Sequence, residues 1–258
     1  MKTFIGFFVL AVAAACGNGV ARSSTPPVVQ EAAGAQEITF PAQDGQTVYG
    51  DLYRSGKEAA KSVVLMFHQA GSNAGEYETI APQIVKLGTD CLAIDQRSGG
   101  NMFDRKNRTA TTAKGSEDYM DAYKDMEGAL SWAKSQGYKK IIPWGSSYSA
   151  SLTIKLLSEH PELNAGLAFS PGEYFDDKNL VKSWAANVKA TVLIACTPDE
   201  AKDGRIMIYQ ALNHGQPHGV IVYPPGTIHG SSTCIEGKSP AAALMMKSAK
   251  DFLKNMLE

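Results

Sequence analysis

The stretch KKIIPWGSSYSAS (residues 139–151) decides how this chain is read. A β-branched run enters a turn of small residues, Gly145, Ser146, Ser147, Tyr148 and Ser149, and leaves into a helical pattern. A serine at the tightest point of a strand-to-helix turn stands where a nucleophile would be held up for attack. The plainer alternative is an ordinary loop in a chain that uses serine freely. The turn alone does not choose between them, so the elements around it have to.

Upstream, EITFPAQDGQTVYGDLYR (37–54) alternates on both sides of Asp44 and Gly45, the mark of a β-hairpin. SVVLMFH (62–68) is a continuous apolar run, as in a strand covered on both faces. AGEYETIAPQIVKLG (74–88) reads as a helix, with Ile80, Ile84 and Leu87 along one side and Gly88 as its stop. CLAID (91–95) is another buried strand. SEDYMDAYKDMEGALSWAKSQG (116–137) is a long helix with Tyr119, Tyr123, Met126, Ala129, Leu130 and Ala133 on one stripe.

Downstream of the turn, YSASLTIKLLSEH (148–160) is a helix closed by Pro161. NAGLAFS (164–170), ATVLIAC (190–196) and HGVIVYP (218–224) read as strands. DKNLVKSWAANV (177–188), DGRIMIYQALNHG (203–215) and SPAAALMMKSAKDFLKNML (239–257) read as helices. An antiparallel start followed by repeated strand–helix units predicts a single α/β domain. Its sheet is mostly parallel, with an antiparallel amino-terminal hairpin and helices on both faces.

In such a sheet, functional groups gather at the carboxyl ends of the strands. Four ends stand out: FHQAGSN (67–73), GSSYS (145–149), TPDE (197–200) and PGTIHGSS (225–232). Together they supply a serine, an acid, a histidine and a loop of backbone donors, in the order Ser147, Asp199, His229. That order in that strand context resembles the α/β-hydrolase superfamily, and the resemblance covers residues 37–257. Within it the chain looks most like small, lidless, bacterial dienelactone-hydrolase-like proteins, on the HQAGS loop and the SPG segment (170–172).

The resemblance implies a serine hydrolase acting on a carboxylic ester, lactone or thioester. Ser147 maps onto the nucleophile of the G-x-S-x-G turn, with Ser149 where glycine is usual. His229, in the Gly-flanked GTIHG, maps onto the base, and Asp199 onto the acid that orients it. Glu200 is its neighbour on the same loop, and Glu173 or Asp176 are alternatives. The oxyanion donors implied are the backbone N–H groups of Tyr148 and Ala70. His68, Gln69 and Tyr174 are expected around the pocket; Gln69 either lines it or positions its loop. Asp95 and Arg97 in IDQRSGG are expected to tie loops together. The loop at 97–115, with Tyr148 and Tyr174, is expected to shape the pocket. The span from Ser170 to Thr191 is too short for a large lid. The rival reading is a non-catalytic binding or scaffold protein that keeps the fold.

Lys plus Arg (25) nearly balances Asp plus Glu (26), so no strong field draws the chain to nucleic acid. The histidines number five and are dispersed, and no Cys-x-x-Cys occurs, so neither metal nor cofactor is expected. No protein partner is inferable; the expected partner is a small ester substrate. At the amino terminus, Lys2 and the apolar run FIGFFVLAVAAA (4–15) resemble an export signal. The run is shorter than the ~20 residues that span a bilayer. AAAC (13–16) is similar to a bacterial lipobox, so residues 1–16 read as signal and lipobox. Cys16 is then either lipidated, tethering a periplasmic or cell-envelope protein to a membrane, or the signal is simply cleaved at an Ala-x-Ala-like site and the protein is secreted. Residues 17–36 read as a flexible tether and 37–258 as the hydrolase domain. Of the other cysteines, Cys91 is expected as a buried thiol. Cys196 and Cys234 are either buried thiols or a disulfide.

Overall fold

The computed structural model describes residues 34–56, 60–112, 116, 118–212, 220–222 and 224–258. The expected export signal with Cys16, the tether up to residue 33, and His214 and His218 lie outside the described residues. Eight strands are described: β1 (Gln36–Pro41), β2 (Thr47–Tyr53), β3 (Ser62–Phe67), β4 (Asp90–Asp95), β5 (Lys140–Ser146), β6 (Ala165–Phe169), β7 (Thr191–Ala195) and β8 (Val220–Val222). They form one sheet in the order β1-β2-β4-β3-β5-β6-β7-β8. β2 runs antiparallel to both β1 and β4, and every other pairing is parallel. The hairpin turns at Gly45, whose φ of 85° suits a residue without a Cβ.

The helices are α1 (Ala81–Ile84), α2 (Arg108–Thr112), α3 (Asp121–Ser135), α4 (Tyr148–Glu159), α5 (Leu180–Ala185), α6 (Pro198–Glu200), α7 (Ile206–Ala211) and α8 (Ala242–Leu257). The continuous apolar run of β3 serves two cores, because successive side chains leave a strand on opposite faces. Val63, Leu65 and Phe67 join Leu92, Ile94, Val192 and Ile194 under α3, α4, α5 and α7. Val64 and Met66 join Ala93, Trp144, Phe169 and Leu193 under α1 and α8. Each such side chain, fully buried, contributes roughly 1.5–3 kcal/mol relative to exposure. Among the described residues no helix is long and apolar enough to cross a membrane.

One expected helix is broken up. Residues 74–88 form two 3₁₀ turns (Ala74–Tyr77 and Val85–Leu87) around the short α1. Pro82 is the reason: it lacks an N–H and tolerates only a helix's first turn, so the helix has to begin beside it. Ile80 and Ile84 still reach the core, and Gly88 closes the segment at φ 86°.

The strand order reverses between β3 and β5, since β4 lies on the far side of β3. Ligands of open α/β sheets bind at such a switch, beyond the carboxyl ends of the strands. Residues 68–72 and Ser147 emerge there.

Candidate active site

Ser147 caps α4 with φ 59° and ψ −124°, a conformation that side chains rarely adopt. Strain of this kind costs about 1–3 kcal/mol and persists only where its surroundings enforce it. The surroundings are visible. A Cβ on Gly145 would lie 2.3 Å from the Ser149 carbonyl oxygen and 2.4 Å from Thr153 Oγ1, so strand and helix approach as closely as glycine permits. The Ser147 N–H donates to the Phe169 carbonyl on β6 (2.8 Å). Ser149, where the resemblance leads one to expect glycine, is fully buried. Its hydroxyl donates to the His68 carbonyl (2.6 Å) and reaches Gln96 Oε1 (2.9 Å). The serine thus fastens the turn to the neighbouring loop.

His229 leaves the loop after β8 and places Nε2 2.7 Å from Ser147 Oγ. Its Nδ1 lies 2.5 Å from Glu200 Oε1. Asp199 does not take this place, which corrects the expectation from the resemblance. Its side chain is 90% exposed and pairs with Lys202 (3.1 Å). The cause is local. Thr197, Pro198, Asp199 and Glu200 form a capping box: Thr197 Oγ1 accepts from the Glu200 N–H, and Glu200 Oε2 accepts from the Thr197 N–H. A capping box turns its fourth residue back toward the strand end, while Asp199, one residue earlier, points to solvent. Ser170, held at φ 57°, donates to Glu200 Oε2 (2.7 Å) and accepts from the Gly230 N–H (2.9 Å), so it braces the Glu200 and His229 loops together.

Burial pushes the Glu200 carboxyl up, but donors from His229, Thr197 and Ser170 outweigh it and hold the group at about 2. Glu200 is therefore a carboxylate at neutral pH, suited to accept a hydrogen bond from Nδ1–H and so leave the Nε2 lone pair facing Ser147 Oγ. Glu173, the other acid considered, instead accepts from the N–H groups of Val181 and Lys182 at the start of α5. Asp176 is exposed.

Tyr148 opens α4, so its N–H is among those that a helix leaves without an intrahelical acceptor. Ala70 is half-buried on the loop after β3. Gln69 holds that loop: its N–H donates to Glu76 Oε2 (2.8 Å) and its amide reaches Glu76 Oε1 (3.3 Å) and Ser232 Oγ (3.1 Å). Of the two readings of Gln69, these contacts describe loop positioning. His68 is wholly buried rather than lining a pocket. Nε2 accepts from the Gln96 N–H (2.9 Å), which leaves Nδ1–H to donate to the Gln69 carbonyl (2.8 Å). Burial lowers its pKa, so it stays neutral in this tautomer.

Tyr174 is half-buried and donates to the Ser170 carbonyl (2.7 Å). Tyr148 stacks on Tyr119 at 4.3 Å. The loop from 97 onward is pinned, not loose: the two protons of the Asn73 amide are shared among the carbonyls of Gly100, Met102 and Arg105. Asp95 accepts from Ala74 N–H and Arg108, and Arg97 bridges Asp44 and Asp125. Residues 170–190 hold only α5. His160 pairs with Glu127 at the end of α4 (2.8 Å). Cys91 and Cys234 are buried thiols, so no bridge joins Cys196 to Cys234. Among the described residues, no three His, Cys, Asp or Glu side chains are grouped to hold a metal.

No protein-family model matches the chain, and no curated protein is similar enough in sequence to match. Solved structures do match. An esterase from Pyrococcus furiosus is 18% identical with a TM-score of 0.63, over 86% of this chain and 89% of that one. A dienelactone hydrolase from Anabaena variabilis is 18% identical with a TM-score of 0.62, over 87% and 97%. A dienelactone hydrolase-like promiscuous phosphotriesterase from metagenomic libraries is 16% identical with a TM-score of 0.63, over 87% and 99%. At these identities the likeness speaks to fold. With the strand order and the switch point between β3 and β5, it gives this chain an α/β-hydrolase fold.

Proposed function

We propose that this protein is a serine hydrolase that cleaves a carboxylic ester, lactone or thioester through an acyl-enzyme on Ser147. The observation that carries the reading is the chain of contacts Ser147 Oγ–His229 Nε2 (2.7 Å) and His229 Nδ1–Glu200 Oε1 (2.5 Å). A serine hydroxyl is a weak nucleophile at neutral pH and needs such a base within reach. That the structural neighbours include esterases and dienelactone hydrolases supports hydrolysis as the class of reaction.

In this reading Ser147 Oγ attacks the substrate carbonyl while His229 Nε2 takes its proton. Glu200 fixes the tautomer and stabilises the imidazolium that forms. The N–H groups of Tyr148 and Ala70 receive the oxyanion. Collapse expels the alcohol or thiol, protonated by His229. Water, deprotonated by His229, then attacks the acyl-enzyme and releases the acid. With only α5 between β6 and β7, a small, fairly soluble substrate suits the site better than long-chain fat. In the same proposal the amino-terminal segment directs export, and Cys16 is either lipidated as a membrane tether or left unlipidated after simple signal cleavage, which releases a secreted protein.

A panel of short p-nitrophenyl esters, lactones and thioesters tests the reading, run on the wild type beside Ser147→Ala. Turnover by the wild type that vanishes in Ser147→Ala is expected. An inert wild type favours a scaffold that only keeps the fold.

A further inference from the structure

We propose that Glu76 is a positioning residue for this hydrolysis: its buried carboxylate ties together the three loops that carry Ala70, Ser147 and His229. The inference rests on the hydrolase reading above. Glu76 lies outside the triad, on the 3₁₀ turn Ala74–Tyr77, and its side chain is fully buried. Its Oε2 accepts from the Gln69 N–H (2.8 Å), one residue before Ala70. Its Oε1 accepts from Ser146 Oγ (2.9 Å), one residue before Ser147, and from Ser232 Oγ (3.2 Å), three residues after His229. Gln69 Nε2 closes the ring by reaching both Glu76 Oε1 (3.3 Å) and Ser232 Oγ (3.1 Å).

The base loop is tied a second time through the same serine. Ser146 Oγ accepts from the Ser231 N–H (2.8 Å), so the hydroxyl that Glu76 holds is the one on which the loop after His229 rests. The approach is close enough to exclude a side chain. A Cβ on Gly230, which has φ 71°, would lie 2.5 Å from Ser146 Oγ and 3.6 Å from Glu76 Oε1.

Stability alone gives no reason for an acid here. The partners of Glu76 are neutral donors, and burial raises its pKa, so the carboxylate gains little from the interior. Apolar packing is generally the cheaper way to fill such a space. A carboxylate offers two oxygens with about four acceptor positions, which lets one side chain hold three separate loops at once. An amide of the same shape would turn an NH₂ toward either the Gln69 N–H or the two serines, and one tie would be lost.

The test uses the full chain, a p-nitrophenyl ester and a fluorophosphonate probe. Glu76→Gln is expected to lower kcat by about 10–100-fold with KM little changed, the range in which displacing reacting groups by a fraction of an ångström acts. Labelling of Ser147 should slow by a similar factor in protein that remains folded by circular dichroism. The double variant with Ser146→Ala should lose less than the product of the two single losses, because both cut one connection. An unchanged kcat per probe-titrated site in folded Glu76→Gln overturns the proposal, and so do fully independent losses. If Glu76→Gln does not fold, Ser146→Ala and Ser232→Ala read the same ties, and full activity in both overturns it. A wild type inert toward ester and probe sinks the hydrolase reading itself. An active wild type with an unimpaired Glu76→Gln sinks only this inference.

Discussion

Thr197 and Glu200 close a capping box at the end of β7, and that closure turns Glu200 onto His229 and Asp199 into solvent. Which of the two acids reaches His229 is thus decided by two side chain–backbone hydrogen bonds that begin two residues beyond a strand. The box assigns the two neighbouring acids opposite roles, and the roles separate cleanly in experiment.

Asp199→Asn is expected to leave kcat/KM within about two-fold, since an exposed surface pair contributes little. Glu200→Ala is expected to lower it by roughly 10²–10⁴-fold, the range associated with losing the group that orients the histidine. Steady-state hydrolysis of one ester by both variants checks this. Equal losses, or a loss confined to Asp199→Asn, would restore the original assignment.

Acid stability should carry the signature of Glu200. Its pKa in the folded protein is about 2, below the ordinary 4.5, so the contribution to stability is complete above about pH 4.5. It fades as pH falls through the folded value. Thermal unfolding between pH 7 and pH 2 should show a steeper fall for the wild type than for Glu200→Gln below pH 4.5, and parallel curves above it.

Ser149→Ala removes the hydroxyl that joins the turn at Ser147 to the His68 carbonyl and Gln96. The one proton that the hydroxyl shares between these two buried acceptors is lost, at a cost of about 1–3 kcal/mol in denaturant unfolding. A variant as stable as the wild type would show that Ser149 is only a small residue in a tight place.

Arg97 is buried between Asp44 and the fully buried Asp125. Burial raises the Asp125 pKa and the guanidinium opposes that rise. Removing one partner of a buried pair leaves a charge without compensation, so Arg97→Ala should cost about 3–5 kcal/mol. Arg97→Met combined with Asp125→Leu should recover part of it, because both charges are then gone. Urea unfolding of the single and double variants measures both.

The architecture was legible because it depends on pattern. Continuous apolar strands, alternation around Asp44 and Gly45, and helical stripes lead to the same sheet that the structure has. The boundaries that failed were set by single residues. Pro82 broke an expected helix, and Arg108–Thr112 formed a helical turn inside what reads as loop. Ser147 and His229 could be placed because strand ends and glycine neighbours mark them. Glu200 is a different case. Chain position and resemblance point to Asp199, while the T-x-x-E signature of a capping box stood in the sequence and carried the geometry. Glu76 and Ser170 were out of reach, since their roles arise from loops that meet only in the folded chain.

The most direct measurement maps the adduct of a fluorophosphonate probe on the full chain by peptide mass spectrometry. The account predicts one adduct, on Ser147, formed rapidly by the wild type, lost in Ser147→Ala and strongly slowed in His229→Ala. Modification at Ser146 or Ser149, or a rate at Ser147 indifferent to His229→Ala, would contradict it.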